Sequence, residues 1–407
     1  MSTLLGRYRA VLLDLDGVLF RGDEPVPGAV EALAELGSRD VPMVFITNNS
    51  ARTPEQVAEK LRRLGFDVEA ERVVTSASAL GGLLGATERD PAAATAFVIG
   101  EDGIREALRD AGVEVLEGEP EAADAVVVGW DRAADYDRLK RASLLVQRGA
   151  RLIATNTDVS YPAADGDWPG AGALLAVVTL SSRARAEVAG KPGPALFRGA
   201  ARVSGVEGPY LVVGDRLETD VAGASALGWD AALVLTGVAR PSDVVRGPWL
   251  PAYLGRTVGD VVTNPARIEP AGPGDLGAVR GLLDEAGLYA GDIEARVDDL
   301  LVARTDAGVV GAGALEVSGQ DGLLRSLAVA PERRGAAVGT HLVAALAARA
   351  RDAGGTRLWL LTETAERFFT SLGFQRVGRG ALPAELEASP SAGANCAETA
   401  VAMRLAS

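Results

Sequence analysis

The sequence predicts an α/β protein of more than one domain, on three observations. Apolar runs and helical patterns alternate over 10–64, as expected of a parallel sheet flanked by helices. That alternation resumes with the apolar runs at Tyr210 and Ala231, so the stretch from about Ala79 to Leu180 reads as an inserted α/β unit. After Ile268 the pattern changes to consecutive strands followed by helix–strand alternation, which reads as a separate mixed α/β domain. With 407 residues the chain is too long for one ordinary core, and this partition meets that bound.

Each element follows from local chemistry. Ala10–Asp16 is a short apolar run ending in acids. Val26–Leu36 has helical spacing, with Val30, Leu33, Ala34 and Leu36 on one side. Val41–Thr47 is a second strand. Thr53 as N-cap, Pro54 at the first position and Glu55 in the first turn open a helix that Leu64 and Gly65 close. Inside the insertion, Ala96–Gly100, Ala125–Gly129 and Arg151–Thr155 read as strands. Tyr210–Gly214 and Ala231–Leu235 return to the first domain, which takes 1–78 and 181–261. The polar 262–267, with Pro265, suits a linker. In 268–407, Leu300–Thr305, Val309–Val317 and Leu323–Val329 are strands joined by Asp306-Ala307-Gly308 and Gln320-Asp321-Gly322. A helix over Gly339–Asp352, a strand over Arg357–Leu361, a helix over Ala365–Leu372 and a strand from Phe374 complete the domain. The Ala/Ser/Gly-rich 388–397 reads as a loop.

Composition narrows the function. Hydrophobic content of 48% and charged content of 24% describe a globular chain. The net charge of −14 argues against nucleic acid or an anionic membrane as partner, and an anionic small substrate needs a local cation. Cys396 is the sole cysteine, which rules out a disulfide within the chain and thiol metal clusters and suits a reducing cytoplasm. No signal-peptide stretch or membrane span is expected. His341 is the sole histidine, so a two-histidine metal site is excluded. It stands in an Ala-rich helical stretch without a nucleophile motif nearby and reads as a surface or half-buried helix residue. Acid–base chemistry then falls to carboxylates and lysine.

Four segments at strand or loop boundaries carry those groups. Asp14-Leu15-Asp16-Gly17 follows the first apolar run. Residues two apart on a strand point the same way, so two carboxylates face one crevice and call for a cation between them. Hard oxygen ligands favour Mg²⁺. Thr47-Asn48-Asn49-Ser50 ends the next strand and offers hydroxyl, amide and backbone donors to phosphate oxygens. Gly190-Lys191-Pro192 supplies a cation. Gly214-Asp215-Arg216-Leu217-Glu218-Thr219-Asp220 follows a further apolar strand. Alone each is ordinary turn chemistry; the ordered set is not.

In that order the four segments resemble the motifs of the haloacid dehalogenase (HAD) superfamily, subfamily IIA, over residues 1 to about 261. The resemblance implies a Rossmann-like core with an inserted C2-type cap, and phosphatases of glycerol phosphate, phosphoglycolate and nitrophenyl phosphate. It implies that Asp14 is the nucleophile that becomes an aspartyl-phosphate, and that Asp16 is the general acid and base. Thr47, Asn48 and Asn49 would hold phosphate, and Lys191 would neutralise charge. Asp14, the carbonyl of Asp16 and Asp215 would bind Mg²⁺, with Asp220 in support. Thr155-Asn156-Thr157-Asp158 and Pro169-Gly170-Ala171-Gly172 match the subfamily too and read equally as loop architecture. Arg132 and Tyr161 are candidate substrate contacts in the cap.

Leu327-Ala328-Val329 and Arg334-Gly335-Ala336-Ala337-Val338-Gly339, with Ala365-Glu366-Arg367-Phe368-Phe369 and Leu372-Gly373-Phe374, resemble the GNAT acetyltransferases over 268–407. This implies an acetyl-CoA loop of Val329, Arg334, Gly335 and Gly339 at a helix N-terminus. Ala337 stands where that pattern has glycine. Glu316 and Glu363 are the acids available as a base, and both read as surface residues. The domain is therefore either an acetyl-CoA-dependent N-acetyltransferase or a regulatory or dimerising unit, with a homo-oligomer as the partner in that case. The two-part architecture implies a glycerol 3-phosphate phosphatase in glycerophospholipid metabolism, with 2-phosphoglycolate or a similar small phosphorylated metabolite as the alternative substrate.

Overall fold

The computed structural model describes residues 4–84, 94–163, 165–263, 265–388 and 399–406. Beyond Ala388, the loop expected over 388–397 lies outside the described residues. The chain forms two compact units, one built on Tyr8–Gly214 and Glu218–Asp230, the other on Met1–Arg7, Asp215–Leu217 and Ala231–Ser407.

In the first unit, strands pair in parallel in the order Tyr210–Gly214, Ala10–Asp14, Met43–Thr47, Val73–Thr75. Every residue of Ala10–Asp14 is buried, as a strand covered on both faces requires. The register sets Leu13 opposite Val213 and Asp14 opposite Ile46, so Asp14, Thr47 and Gly214 emerge at one carboxyl edge. Helix Pro54–Arg63 starts at a capping box in which Thr53 and Gln56 satisfy each other's backbone N–H, and it buries Val57, Ala58 and Leu61.

The inserted unit is a parallel sheet in the order Glu187–Val188, Arg151–Ala154, Ala125–Val128, Thr95–Ile99, Glu114–Leu116. Helices Tyr136–Gln147 and Ala171–Ser182 pack on each other and on Phe97, Val126, Val128 and Leu152. The sheet continues past Leu180, because Val188 pairs with Ala154. A two-residue strand carries no periodicity by which sequence reading finds it.

In the second unit, Ala232–Val234 pair in parallel with Tyr253–Gly255, and helix Pro241–Arg246 lies between them in the chain. Helix Val258–Thr263 and strand Arg267–Pro270 reach from either side into the stretch 262–267 read as a linker. The remaining sheet runs Arg267–Pro270, Leu300–Thr305, Gly308–Ser318, Asp321–Val329, Arg357–Thr362, Val401–Ala406, Gln375–Val377. Its first four strands are antiparallel neighbours, and Asp321–Val329 pairs in parallel with Arg357–Thr362. Helix Val338–Asp352 packs between this sheet and helix Pro241–Arg246. Covered on both sides, it buries His341, which is 2% exposed rather than at or near the surface as its sequence context suggested. No helix among the described residues is long and apolar enough to cross a membrane.

Candidate active site

Polar loops converge at the carboxyl edge of the first sheet. Asp14 ends its strand, and its Oδ1 lies 2.6 Å from Lys191 Nζ. Lys191 Nζ also donates to Asp220 Oδ1 at 2.7 Å. All three side chains are buried. Burial works against the charge on Lys191, but Asp14 and Asp220 overcome it and raise its pKa above the usual lysine range. The ammonium therefore persists at neutral pH. Asp220 reaches it from a π-helical turn, Leu217–Val221, a geometry that re-aims side chains inside a helix start.

The backbone of Lys191 is clamped as well. Asn48 Oδ1 accepts the Lys191 N–H at 2.7 Å, and Asn48 Nδ2 donates to the Lys191 carbonyl at 3.2 Å. A Cβ at position 190 would stand 2.4 Å from Thr155 O and 2.5 Å from Asn48 Oδ1, so glycine is what lets this loop close. Thr47 Oγ1 accepts the Asn49 N–H at 3.1 Å, and Asn49 Oδ1 accepts the Ala51 N–H at 3.0 Å. Thr47, Asn48 and Asn49 thus form one turn beside Lys191, with the Asn48 amide engaged by the Lys191 backbone.

Three residues that sequence reasoning did not place at the site brace this turn. Ser76 Oγ and Asn156 Nδ2 both donate to Asn48 O, at 2.7 and 2.8 Å. Thr155 Oγ1 donates to Ser50 Oγ at 3.1 Å. The Thr155-Asn156 pair was visible as loop architecture; Ser76 had no signal beyond being a polar residue after a strand. Lys60 was missed too. Its ammonium sits 3.9 Å from the Phe20 ring centroid. Burial lowers its pKa, and the facing Asp16 opposes that shift. The Asp16 side chain is exposed, its backbone bridges to Phe20, and Gly17 takes a left-handed φ of 81° to turn the chain there.

Asp215 follows the strand Tyr210–Gly214 and is buried. Its Oδ2 accepts the Val238 N–H at 2.7 Å, and its carbonyl accepts the Ala239 N–H at 3.0 Å. Asp14 and Asp220 in the first unit, and Asp215 in the second, each offer a carboxylate oxygen of the kind that can hold a metal ion. Asp14 and Asp220 set two acidic side chains on the one Lys191 ammonium, so this buried cluster holds more acidic than basic groups. A hard divalent cation such as Mg²⁺ matches both that acidic excess and the all-oxygen donor set.

In the inserted unit, Arg132 is exposed, donates to Glu101 Oε1 at 3.1 Å and lies 5.6 Å from the Trp130 ring. Arg132, Glu101, Asp102 and Arg138 help line a cavity of about 560 Å³. The start of helix Asp102–Asp110 packs against the Thr47–Ala51 turn, since a Cβ on Gly103 would meet Ser50 O at 2.7 Å. The Tyr161 side chain lies outside what the structure describes.

In the C-terminal domain, strand Asp321–Val329 leads through the Arg334 loop into helix Val338–Asp352. Arg334 Nε donates to Val329 O at 3.1 Å. Gly335 and Ala337 both hold left-handed φ, 79° and 63°. Gly339 lies in the first turn of the helix, where an added Cβ would stand 3.2 Å from the Phe368 ring. Glu363 is exposed as expected. Glu316 is not: it is buried, 3.0 Å from Arg296 Nη1 and 2.6 Å from Arg325 Nε. The buried Arg325 on the neighbouring strand needs a counter-ion, which draws Glu316 inward.

Residues 11–114 match the haloacid dehalogenase-like hydrolase family, 188–261 a second HAD-hydrolase-like segment, and 296–376 the acetyltransferase (GNAT) domain. An acid sugar phosphatase of Staphylococcus epidermidis is 37% identical over 247 residues, covering 60% of this chain and 93% of that protein. The crystal structure of glycerol phosphate phosphatase from Mycobacterium tuberculosis in complex with magnesium matches with a TM-score of 0.70 at 27% identity, covering 92% of this chain and 98% of that one. A thermostable NPPase double mutant from Geobacillus stearothermophilus matches with a TM-score of 0.57 at 35% identity, covering 62% of this chain and 98% of its own.

Proposed function

The chain belongs to the haloacid dehalogenase-like hydrolases, and from that premise we propose that it is a Mg²⁺-dependent phosphomonoesterase whose leading substrate is glycerol 3-phosphate. The observation that carries the chemistry is the buried Lys191 ammonium held between Asp14 and Asp220. An anionic substrate entering a chain of net charge −14 needs such a local cation.

In this reading the Asp14 carboxylate attacks phosphorus and the bond to the ester oxygen breaks. Asp16 gives its proton to the departing alkoxide, leaving an aspartyl-phosphate and a free alcohol. Asp16 then takes a proton from water, whose oxygen attacks the same phosphorus and returns Asp14 as a carboxylate. Lys191 holds positive charge beside the Asp14 oxygen throughout, and the turn Thr47–Asn49 presents its donors to the phosphate. Asp14, Asp215 and the Asp16 carbonyl would hold Mg²⁺, with Asp220 supporting. When bound, the metal supplies positive charge beside the phosphate oxygens. We assign 1–78 and 181–261 to the core, 79–180 to the cap, 262–267 to the junction, and 268–407 to the GNAT-like domain; the core segment lends the cap sheet its edge strand Glu187–Val188.

Glycerol 3-phosphate is favoured because the mycobacterial glycerol phosphate phosphatase resembles this chain across both domains. The identity to acid sugar phosphatases favours a second reading, a sugar phosphate. Phosphate release from glycerol 3-phosphate, 2-phosphoglycolate and hexose phosphates decides between them. A kcat/KM for a hexose phosphate above that for glycerol 3-phosphate would overturn the leading assignment.

A further inference from the structure

We propose that the GNAT-like domain is a working part of the phosphatase metal site, with Arg351 as a positioning residue that acts on Asp215 through helix Pro241–Arg246. The proposal rests on the reading of Asp215 as a metal ligand.

The connection can be followed bond by bond. The Asp215 carboxylate is aimed by the Val238 N–H, 2.7 Å away, and its carbonyl by the Ala239 N–H at 3.0 Å. The loop that donates them fits tightly, since a Cβ at Gly237 would stand 1.8 Å from Asp215 Oδ2. Helix Pro241–Arg246 begins directly after this loop, so a shift of the helix displaces the donors.

The other end of that helix is held by the GNAT-like domain. Arg351, in helix Val338–Asp352, donates from Nη1 to Val245 O and from Nη2 to Gly247 O, both at 2.9 Å. The final carbonyls of a helix have no partner within it, and the guanidinium satisfies that of Val245 together with the carbonyl of Gly247 just past the helix end. In the reverse direction, Arg246 Nη2 donates to Gly373 O at 3.0 Å. Further along, buried His341 places Nε2 2.9 Å from Pro251 O, which anchors the segment that leads into strand Tyr253–Gly255. A Cβ on Gly247 would stand 3.2 Å from Leu217 Cδ1, so the capped helix end also abuts the residues just after Asp215.

Residues that orient a metal ligand typically change metal affinity by about 10- to 100-fold when removed. The test uses the full-length protein and Mn²⁺ as the probe, read by electron paramagnetic resonance. Arg351→Met is expected to weaken Mn²⁺ binding by about tenfold or more. Its turnover should return towards wild type at saturating metal, and Arg351→Lys should recover part of the affinity. A merely structural defect lowers the active fraction at every metal concentration without moving the half-point. Arg246→Ala, at an exposed residue, covers the case in which Arg351→Met fails to fold, and it should shift the half-point in the same direction by about twofold or more. Asp215→Asn is the reference. Weak Mn²⁺ binding in Asp215→Asn alongside wild-type affinity in the folded Arg351→Met protein overturns the positioning role. If Arg351→Met does not fold, wild-type affinity in Arg246→Ala does the same. Wild-type affinity in Asp215→Asn removes the metal reading of Asp215, and the proposal with it.

Discussion

The sole histidine gives an acid-stability prediction that is free of overlap. Burial without a counter-charge pushes the His341 pKa down from 6.5 to about 4, against a partial opposing effect of its bond to Pro251 O. The folded pKa lies below the unfolded one, so the unfolded chain takes up the proton first. Stability is then full above about pH 6.5 and is lost as pH falls towards about 4. Linkage between those two values gives a loss of roughly 2.5 kcal/mol from about pH 7 to about pH 4.5. His341→Gln keeps a donor for Pro251 O and removes the titration. Denaturant unfolding across this range should show the wild-type stability falling more steeply than that of His341→Gln by about that amount. The wild-type imidazole ring-proton resonance, the only one of its kind, should titrate near 4. Parallel stability curves, or a resonance titrating at the ordinary histidine value, would refute the buried, neutral assignment.

Other outcomes are specific to the site. Asp14→Asn should abolish metal-dependent phosphate release with its circular dichroism unchanged; residual turnover near wild type would remove Asp14 as nucleophile. Asn48→Ala deletes both bonds to the Lys191 backbone and should lower kcat by about 10- to 100-fold, from about 1–3 kcal/mol of lost positioning, with Mn²⁺ affinity nearly unchanged. A kcat within twofold of wild type would contradict the clamp. Gly190→Ala forces a Cβ against Thr155 O and should cost about 1–3 kcal/mol in unfolding measurements; a neutral substitution would mean the loop yields freely. Because Glu316 is held by Arg296 and Arg325, acetyl-CoA with amine acceptors should release no thiol; sustained release would restore a catalytic GNAT-like domain.

Much of this was legible in the sequence, for identifiable reasons. Strands such as Tyr210–Gly214 and the start of helix Pro54–Arg63 announce themselves through apolar runs and a cap, which are local. Asp14, Lys191 and Asp220 were recognisable from their order along the chain, although their meeting is a long-range event. What escaped were effects of tertiary burial. His341 read as a surface or half-buried residue and Glu316 as a surface one, because nothing nearby in sequence reveals that a helix will be covered on two sides or that Arg325 will be buried opposite. Ser76 escaped because a side chain that holds a backbone carbonyl leaves no pattern in the residues around it.

The same distinction bears on why Lys191 can work in so acidic a chain. Its charge is not an average property of the surface but a product of two buried carboxylates placed at 2.6 and 2.7 Å. Remove either acid and burial pushes the lysine towards its neutral form. Remove the lysine and the buried acids face each other with no cation between them. Lys191→Met should therefore lose more than its direct contact with phosphate. Its kcat should fall by about 100-fold or more while its circular dichroism stays that of the wild type, from about 3 kcal/mol of lost charge-assisted stabilisation. A kcat within tenfold of wild type would mean that the metal alone supplies the positive charge the phosphate needs.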